Sequence, residues 1–76
     1  MITVYSKKSC PGCDQAKKFL WHKGVQYEEI KVDEVADARE FLLAEGHRSV
    51  PQFYKNGALL ATSVDQLIAL PEDAFL

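Results

Sequence analysis

The chain is poor in cysteine, and what it has sits in one place: two residues in 76, at positions 10 and 13. Histidine is as scarce. A zinc centre normally takes four nitrogen, sulfur or carboxylate ligands, and neither His22 nor His47 stands at zinc-finger spacing from the cysteines, so no metal site is expected. No apolar run approaches the roughly 20 residues a membrane-crossing helix needs. Neither sign of charge dominates: nine basic against eleven acidic side chains give a net charge of −2. That balance makes no electrostatic case for nucleic acid or an anionic membrane as a partner. There is no internal repeat, low-complexity tract or linker, so residues 1–76 are expected to form one domain. Met1-Ile2-Thr3-Val4-Tyr5 lacks the basic region and longer apolar stretch of a signal peptide. The expected setting is the cytoplasm, where paired cysteines are more often catalytic or metal-binding than structural.

What is present is 47% apolar residues, ordinary for a folded chain, and a readable order of elements. Residues 2–5 are β-branched and aromatic and predict a short buried strand. Residues 6–9 are a polar loop. Residues 11–23 have helical spacing, with Ala16, Phe19 and Leu20 on one face and Gly24 as the stop. Residues 27–32 predict a second strand whose Glu28, Glu29 and Lys31 suit a sheet edge. Asp33 is the expected cap of a second helix with Val35, Ala38, Phe41 and Leu42 as its apolar stripe, ended by Gly46. Residues 52–55 and 58–61 flank Asn56-Gly57, the strongest short-range hairpin signal. Thr62 or Ser63 caps a last short helix carrying Val64, Leu67 and Ile68, stopped by Pro71, and the tail to Leu76 is expected to fray. The order β-α-β-α-β-β-α implies an α/β fold with a mixed four-stranded sheet flanked by helices. The first two strands are parallel because they need a helical crossover. This is the order of the thioredoxin fold.

Cys10-Pro11-Gly12-Cys13 joins the first strand to the first helix. Cysteines three apart close a disulfide within one helical turn and read as a redox pair. With Pro11 at the first helical position, where a missing N–H costs nothing, Cys10 becomes the N-cap. The amides of Gly12 and Cys13 and the positive end of the helix then favour thiolate over thiol, as do Lys7 and Lys8. The Cys10 pKa is expected below the free value of about 8.5, within roughly 3.5 to 7.5. Cys13, one turn in, is the expected resolving thiol. Gly12 has no side chain and leaves the sulfurs open. Pro51 is expected to face the cysteines through a cis Val50–Pro51 bond that turns the Val50 N–H and C=O outward, ready to pair with an extended substrate. Trp21 and Phe19 are expected to pack inward, Tyr5 to pack at the core edge, His22 and the Lys17–Lys18 pair to be solvated, and His47 to be an exposed loop residue.

Tyr5-Ser6-Lys7-Lys8-Ser9-Cys10-Pro11-Gly12-Cys13, Ser49-Val50-Pro51 and Val64-Asp65-Gln66-Leu67 together resemble the glutaredoxins over nearly the whole chain. The stretch from Val32-Asp33-Glu34-Val35 through Leu42 to Pro51 is similar to the NrdH-redoxins, which reduce ribonucleotide reductase with electrons from thioredoxin reductase. The resemblance implies a dithiol–disulfide oxidoreductase with Cys10 and Cys13 catalytic. It also implies a glutathione- or substrate-binding set of Lys7, Pro11, Gly12, Ser49, Val50, Pro51, Val64 and Asp65. Val64 and Asp65 would receive the γ-glutamyl end of glutathione. It implies no tightly bound cofactor, glutathione as co-substrate, and a monomer. The implied partners are glutathione or a reductase flavoprotein, and disulfide-bearing proteins such as ribonucleotide reductase. An iron–sulfur carrier, with Cys10 of two chains and two glutathiones around one cluster, is the other reading; the stiff Pro11 argues against it. Gly12 and Ser49 depart from the usual Cys-Pro-Tyr-Cys and Thr-Val-Pro. Thr62-Ser63 stands where glutaredoxins carry Gly-Gly, and Leu60-Ala61-Thr62-Ser63 where NrdH-redoxins carry a Trp-Ser-Gly-Phe-type segment.

Overall fold

The computed structural model describes residues 1–76. In chain order the elements are β1 (Ile2–Ser6), α1 (Pro11–Lys23), β2 (Tyr27–Lys31), α2 (Ala36–Ala44), β3 (Gln52–Lys55), β4 (Ala58–Ala61) and α3 (Val64–Ile68), closed by a 3-10 turn at Glu72–Phe75. The strands form one mixed sheet in the order β2-β1-β3-β4. β1 runs parallel to β2 and antiparallel to β3, and β3 runs antiparallel to β4. This is the expected thioredoxin-like architecture, with β2 on the edge.

Local signals explain the element ends. Gly24 adopts φ 71° after α1, a left-handed conformation that glycine enters without a Cβ penalty. Its N–H donates to the Trp21 carbonyl at 3.0 Å, and the Val25 N–H donates to that of Leu20 at 3.0 Å. Asn56 and Gly57 both have positive φ, 52° and 83°, the two-residue hairpin turn that matches strand twist. Ser63 caps α3, its hydroxyl accepting from the Gln66 N–H at 3.1 Å.

Alternation along β1 and β3 divides the side chains between two faces. Ile2, Val4 and Phe53 meet Ala16 and Leu20 of α1, Leu67 of α3 and Ala61 in the main aliphatic core. Tyr5 and Tyr54 point the other way and stack with Phe41 of α2, at centroid distances of 5.2 to 5.6 Å.

Several expectations are corrected. Asp33 does not cap α2; Val35 holds that position without a side-chain bond, and the Asp33 carboxylate instead accepts the Lys8 N–H at 3.1 Å. Val35 is 44% exposed and Trp21 75%, whereas Phe41, at 37%, keeps its packing on Tyr5 and Tyr54. Trp21 lies one residue past the inward Leu20, beyond the strip of α1 that the sheet covers. Lys17 is not a free solvated charge: it is bonded to Glu29 at 2.9 Å. β1 extends to Ser6, which is fully buried. The tail is tied down. Phe75 packs on Phe19, the Lys23 ammonium lies 5.0 Å from the Phe75 ring and 5.5 Å from the Phe19 ring and pairs with Glu72, and Lys55 donates to the carbonyls of Ala74 and Leu76.

Candidate active site

Cys10 caps α1 in extended conformation (φ −119°), with Pro11 at the first helical position. Ser9 before it takes φ 56°, the bend that turns the strand exit into the helix entrance. Of the two amides expected on the Cys10 sulfur, that of Cys13 makes the bond, N to Sγ 3.2 Å. Cys10 and Cys13 are joined as a disulfide with a Cα separation of 5.2 Å. Cys10 is 7% exposed and Cys13 1%, so the first sulfur is the one nearer to solvent and the second is shielded.

The Val50–Pro51 bond is cis, as expected. The Val50 carbonyl oxygen lies 4.0 Å from Cys10 Sγ. Val50 lies just outside the β3 ladder, and neither its N–H nor its C=O takes part in any backbone hydrogen bond. The turn carrying it is pinned from behind: the buried Gln52 side chain donates from Nε2 to the Ser49 carbonyl at 2.8 Å. Its Oε1 has no partner.

Gly12 brings three elements together. A Cβ at this position would lie 3.4 Å from Pro51 Cδ and 3.6 Å from Val64 Cγ2, so α1, the cis-proline turn and the start of α3 converge beside the disulfide. Lys7, Ser49 and Val50 share one cleft. Pro11 and Asp65 are exposed at the starts of α1 and α3. Thr62, just before α3, has both its N–H and its hydroxyl bonded to Gln66 Oε1 at 2.9 Å.

Sequence reading missed a polar group on the α1 side. The buried Ser6 hydroxyl donates to Glu29 Oε2 at 2.7 Å, and Lys17 donates to the same oxygen. The Ser6 hydrogen bond and then that of Lys17 hold the Glu29 carboxyl below the usual range, and Glu29 in turn raises Lys17. It also missed His47, which is half-buried with Nε2 at 2.8 Å from the Tyr54 hydroxyl, itself 3.2 Å from Glu45. Burial, then Glu45, pushes the Tyr54 hydroxyl pKa up. Neither group has a local spacing that would announce it.

A cysteine pair at a helix start, facing a cis-proline turn on a thioredoxin-like sheet, defines a dithiol redox protein. Comparison with known proteins narrows this. The Glutaredoxin family model matches residues 2–60, and the chain belongs to the glutaredoxin family. It is 39% identical over 71 residues to a probable glutaredoxin of Synechocystis sp., covering 91% of this chain and 64% of that protein. It is 37% identical to glutaredoxin 3 of Escherichia coli (70% of this chain, 65% of the relative), and 38% identical to the glutaredoxin-like protein NrdH of the same species (66% and 62%). Each match thus spans a little under two thirds of the relative's length. Among solved structures, the NrdH-redoxin of E. coli superposes with TM-score 0.78 at 27% identity, covering 92% of this chain and 95% of that one. A buckwheat glutaredoxin–glutathione complex superposes with TM-score 0.73 at 27% identity, covering 88% and 64%. No helix is long and apolar enough to cross a membrane.

Proposed function

We propose that this protein is a dithiol–disulfide oxidoreductase that reduces protein or glutathione mixed disulfides. One observation carries the reading: the Cys10 sulfur caps α1, accepts the Cys13 amide, and lies beside the unpaired Val50 backbone. In the reduced form the same amide and helix dipole favour the Cys10 thiolate. The thiolate attacks one sulfur of the substrate disulfide; a Cys10–substrate disulfide forms and the other substrate sulfur leaves as a thiolate, which takes up a proton. Cys13, deprotonated, then attacks Cys10 Sγ. The Cys10–Cys13 disulfide forms, the second substrate sulfur leaves, and two electrons have passed to the substrate. Val50 N–H and C=O pair with the extended substrate backbone. Pro11, Gly12, Pro51 and Val64 form its contact surface, and Lys7, Ser49 and Asp65 supply polar contacts. Disulfides of proteins such as ribonucleotide reductase are within this substrate class. Two thiols, from glutathione as co-substrate or from a reductase flavoprotein, regenerate the dithiol. The protein works as a cytoplasmic monomer.

Cys10→Ser is expected to abolish reduction of a disulfide substrate, and retained turnover would remove this reading. Cys13→Ser is expected to trap a mixed disulfide with protein substrates, visible as a covalent adduct by mass spectrometry.

A second reading, in which thioredoxin reductase is the donor as for an NrdH-redoxin, is favoured by Thr62. Its amide and hydroxyl are already bonded to Gln66, two and three residues before Val64 and Asp65, to which the resemblance assigns the glutathione γ-glutamyl end. Following NADPH loss with glutathione plus its reductase, or with thioredoxin reductase alone, separates the two.

A further inference from the structure

Gln52 opens β3 and is only 2% exposed, unusual for a long amide side chain. It makes one hydrogen bond, from Nε2 to the Ser49 carbonyl at 2.8 Å, and its Oε1 meets no donor. The reverse orientation of the amide would set two oxygen acceptors against each other, so Nε2 must face Ser49. A buried acceptor left unmet costs at least as much as one hydrogen bond returns. The Gln52 amide is therefore a poor source of net stability. What it supplies is direction.

That direction reaches Val50 through covalent geometry. The Ser49 C=O and the Val50 N–H belong to one peptide group. The only cis bond in the chain is the next one, Val50–Pro51, so the Ser49–Val50 group is trans and its C=O and N–H point opposite ways. A carbonyl drawn inward onto Gln52 drives the Val50 N–H outward. No backbone acceptor takes that N–H, and the carbonyl of the same residue lies 4.0 Å from the Cys10 sulfur. Ser49 itself is exposed. Without the Gln52 amide its carbonyl is free to turn to water, and the whole peptide plane, N–H included, turns with it.

We propose that Gln52 is a positioning residue for substrate recognition: its side chain holds the Ser49–Val50 peptide plane so that the Val50 N–H meets a backbone carbonyl of an extended substrate beside Cys10. Gln52 acts through Ser49 and Val50, not on the sulfurs. The role rests on the oxidoreductase reading, and it separates substrates by class. A disulfide carried on a peptide brings the carbonyl that this N–H needs; a small alkyl disulfide brings none.

Two mixed disulfides of thionitrobenzoate test this, one on the cysteine of an extended peptide and one on mercaptoethanol. The Cys10 thiolate of the dithiol form attacks the peptide or mercaptoethanol sulfur, and the coloured thionitrobenzoate leaves with the electron pair of the broken S–S bond. Gln52→Met, similar in length and without a donor, is expected to lower the peptide rate relative to the mercaptoethanol rate about five- to tenfold, the size of one hydrogen bond. An unchanged ratio, whether neither rate falls or both fall together, would overturn the proposal. The native protein offers a second measurement. Titrating its oxidised form with a peptide carrying serine in place of the cysteine should move the Val50 amide proton downfield in a nitrogen–proton spectrum, and a stationary Val50 amide would also overturn the proposal. A Val50 shift present in the native protein and lost in Gln52→Met, with no thionitrobenzoate released from either disulfide, would retain the role of Gln52 and remove the oxidoreductase reading instead.

Discussion

The two sides of the sheet are built by different chemistry. Under α1 and α3 the contacts are mostly aliphatic and closed: Ile2, Val4, Leu20 and Leu67, with the ring of Phe53 among them, are all 2% exposed or less. Under α2 they are aromatic and half-open. Tyr5, Phe41 and Tyr54 stack, and Tyr54 ends in hydrogen bonds to His47 and Glu45. The first side holds the helix that presents Cys10; the second carries the helix and turn that frame the cleft beside Val50. A dry, well-filled layer fixes the sulfurs, and a softer layer borders the cleft that Lys7, Ser49 and Val50 share. Their charged groups also differ. The α1 side depends on a carboxylate kept ionised, Glu29, whereas the α2 side depends on phenols kept neutral, since burial first and nearby Glu28 or Glu45 second raise the pKa of Tyr5 and Tyr54. The two layers are therefore weakened at opposite ends of the pH scale.

Truncation in the closed layer is the strongest way to break this contrast. Phe53→Ala should cost about 3–5 kcal/mol, enough to unfold much of a small domain whose total is on the order of 5–15 kcal/mol, read as a fall in the urea midpoint by circular dichroism. Phe41→Ala, at a residue 37% exposed, should cost only about 1–2 kcal/mol; equal losses at the two positions would erase the distinction between the layers. Glu29→Gln should cost about 1 kcal/mol at neutral pH. The folded pKa of Glu29 is lowered, so its contribution is present above the ordinary value of about 4.3 and lost as pH falls through the folded value. The difference between native and variant should therefore narrow as pH falls below about 4.3, and a gap that stays constant through the acid limb refutes the assignment to ionised Glu29. The smallest effect is expected for Tyr54→Phe, within about 1 kcal/mol at neutral pH. Raised tyrosine pKa values add stability below about 10 that is lost as pH rises through the folded values. Native protein should thus weaken in alkali, and the variant should weaken less steeply.

Much of this was legible in the chain itself. Pro11 and Gly24 marked the ends of α1, Asn56-Gly57 marked the hairpin, and the Cys10–Cys13 spacing with Val50–Pro51 located the site. These are signals between near neighbours, and local backbone rules read them well. What escaped depended on distance or on width. Asp33 missed its capping role because the chain leaving β2 turns first, with the Glu34 and Val35 amides both bonded to the Lys31 carbonyl, so α2 starts later. Trp21 and Val35 fell on apolar patterns, yet the sheet covers only a narrow strip of each helix. The Ser6–Glu29 bond spans 23 positions, and the cleft beside Val50 joins residues 7, 39 and 48. No spacing rule reaches that far.

The wet position of Trp21, the only indole in the chain, has an optical consequence. A fluorophore already bathed in solvent emits from nearly the same surroundings in the native and denatured chain. Its emission maximum should scarcely shift across a melt, while the near-ultraviolet dichroism of the tyrosine stack should collapse. A flat fluorescence trace would then record where this indole sits and not an unusually durable protein.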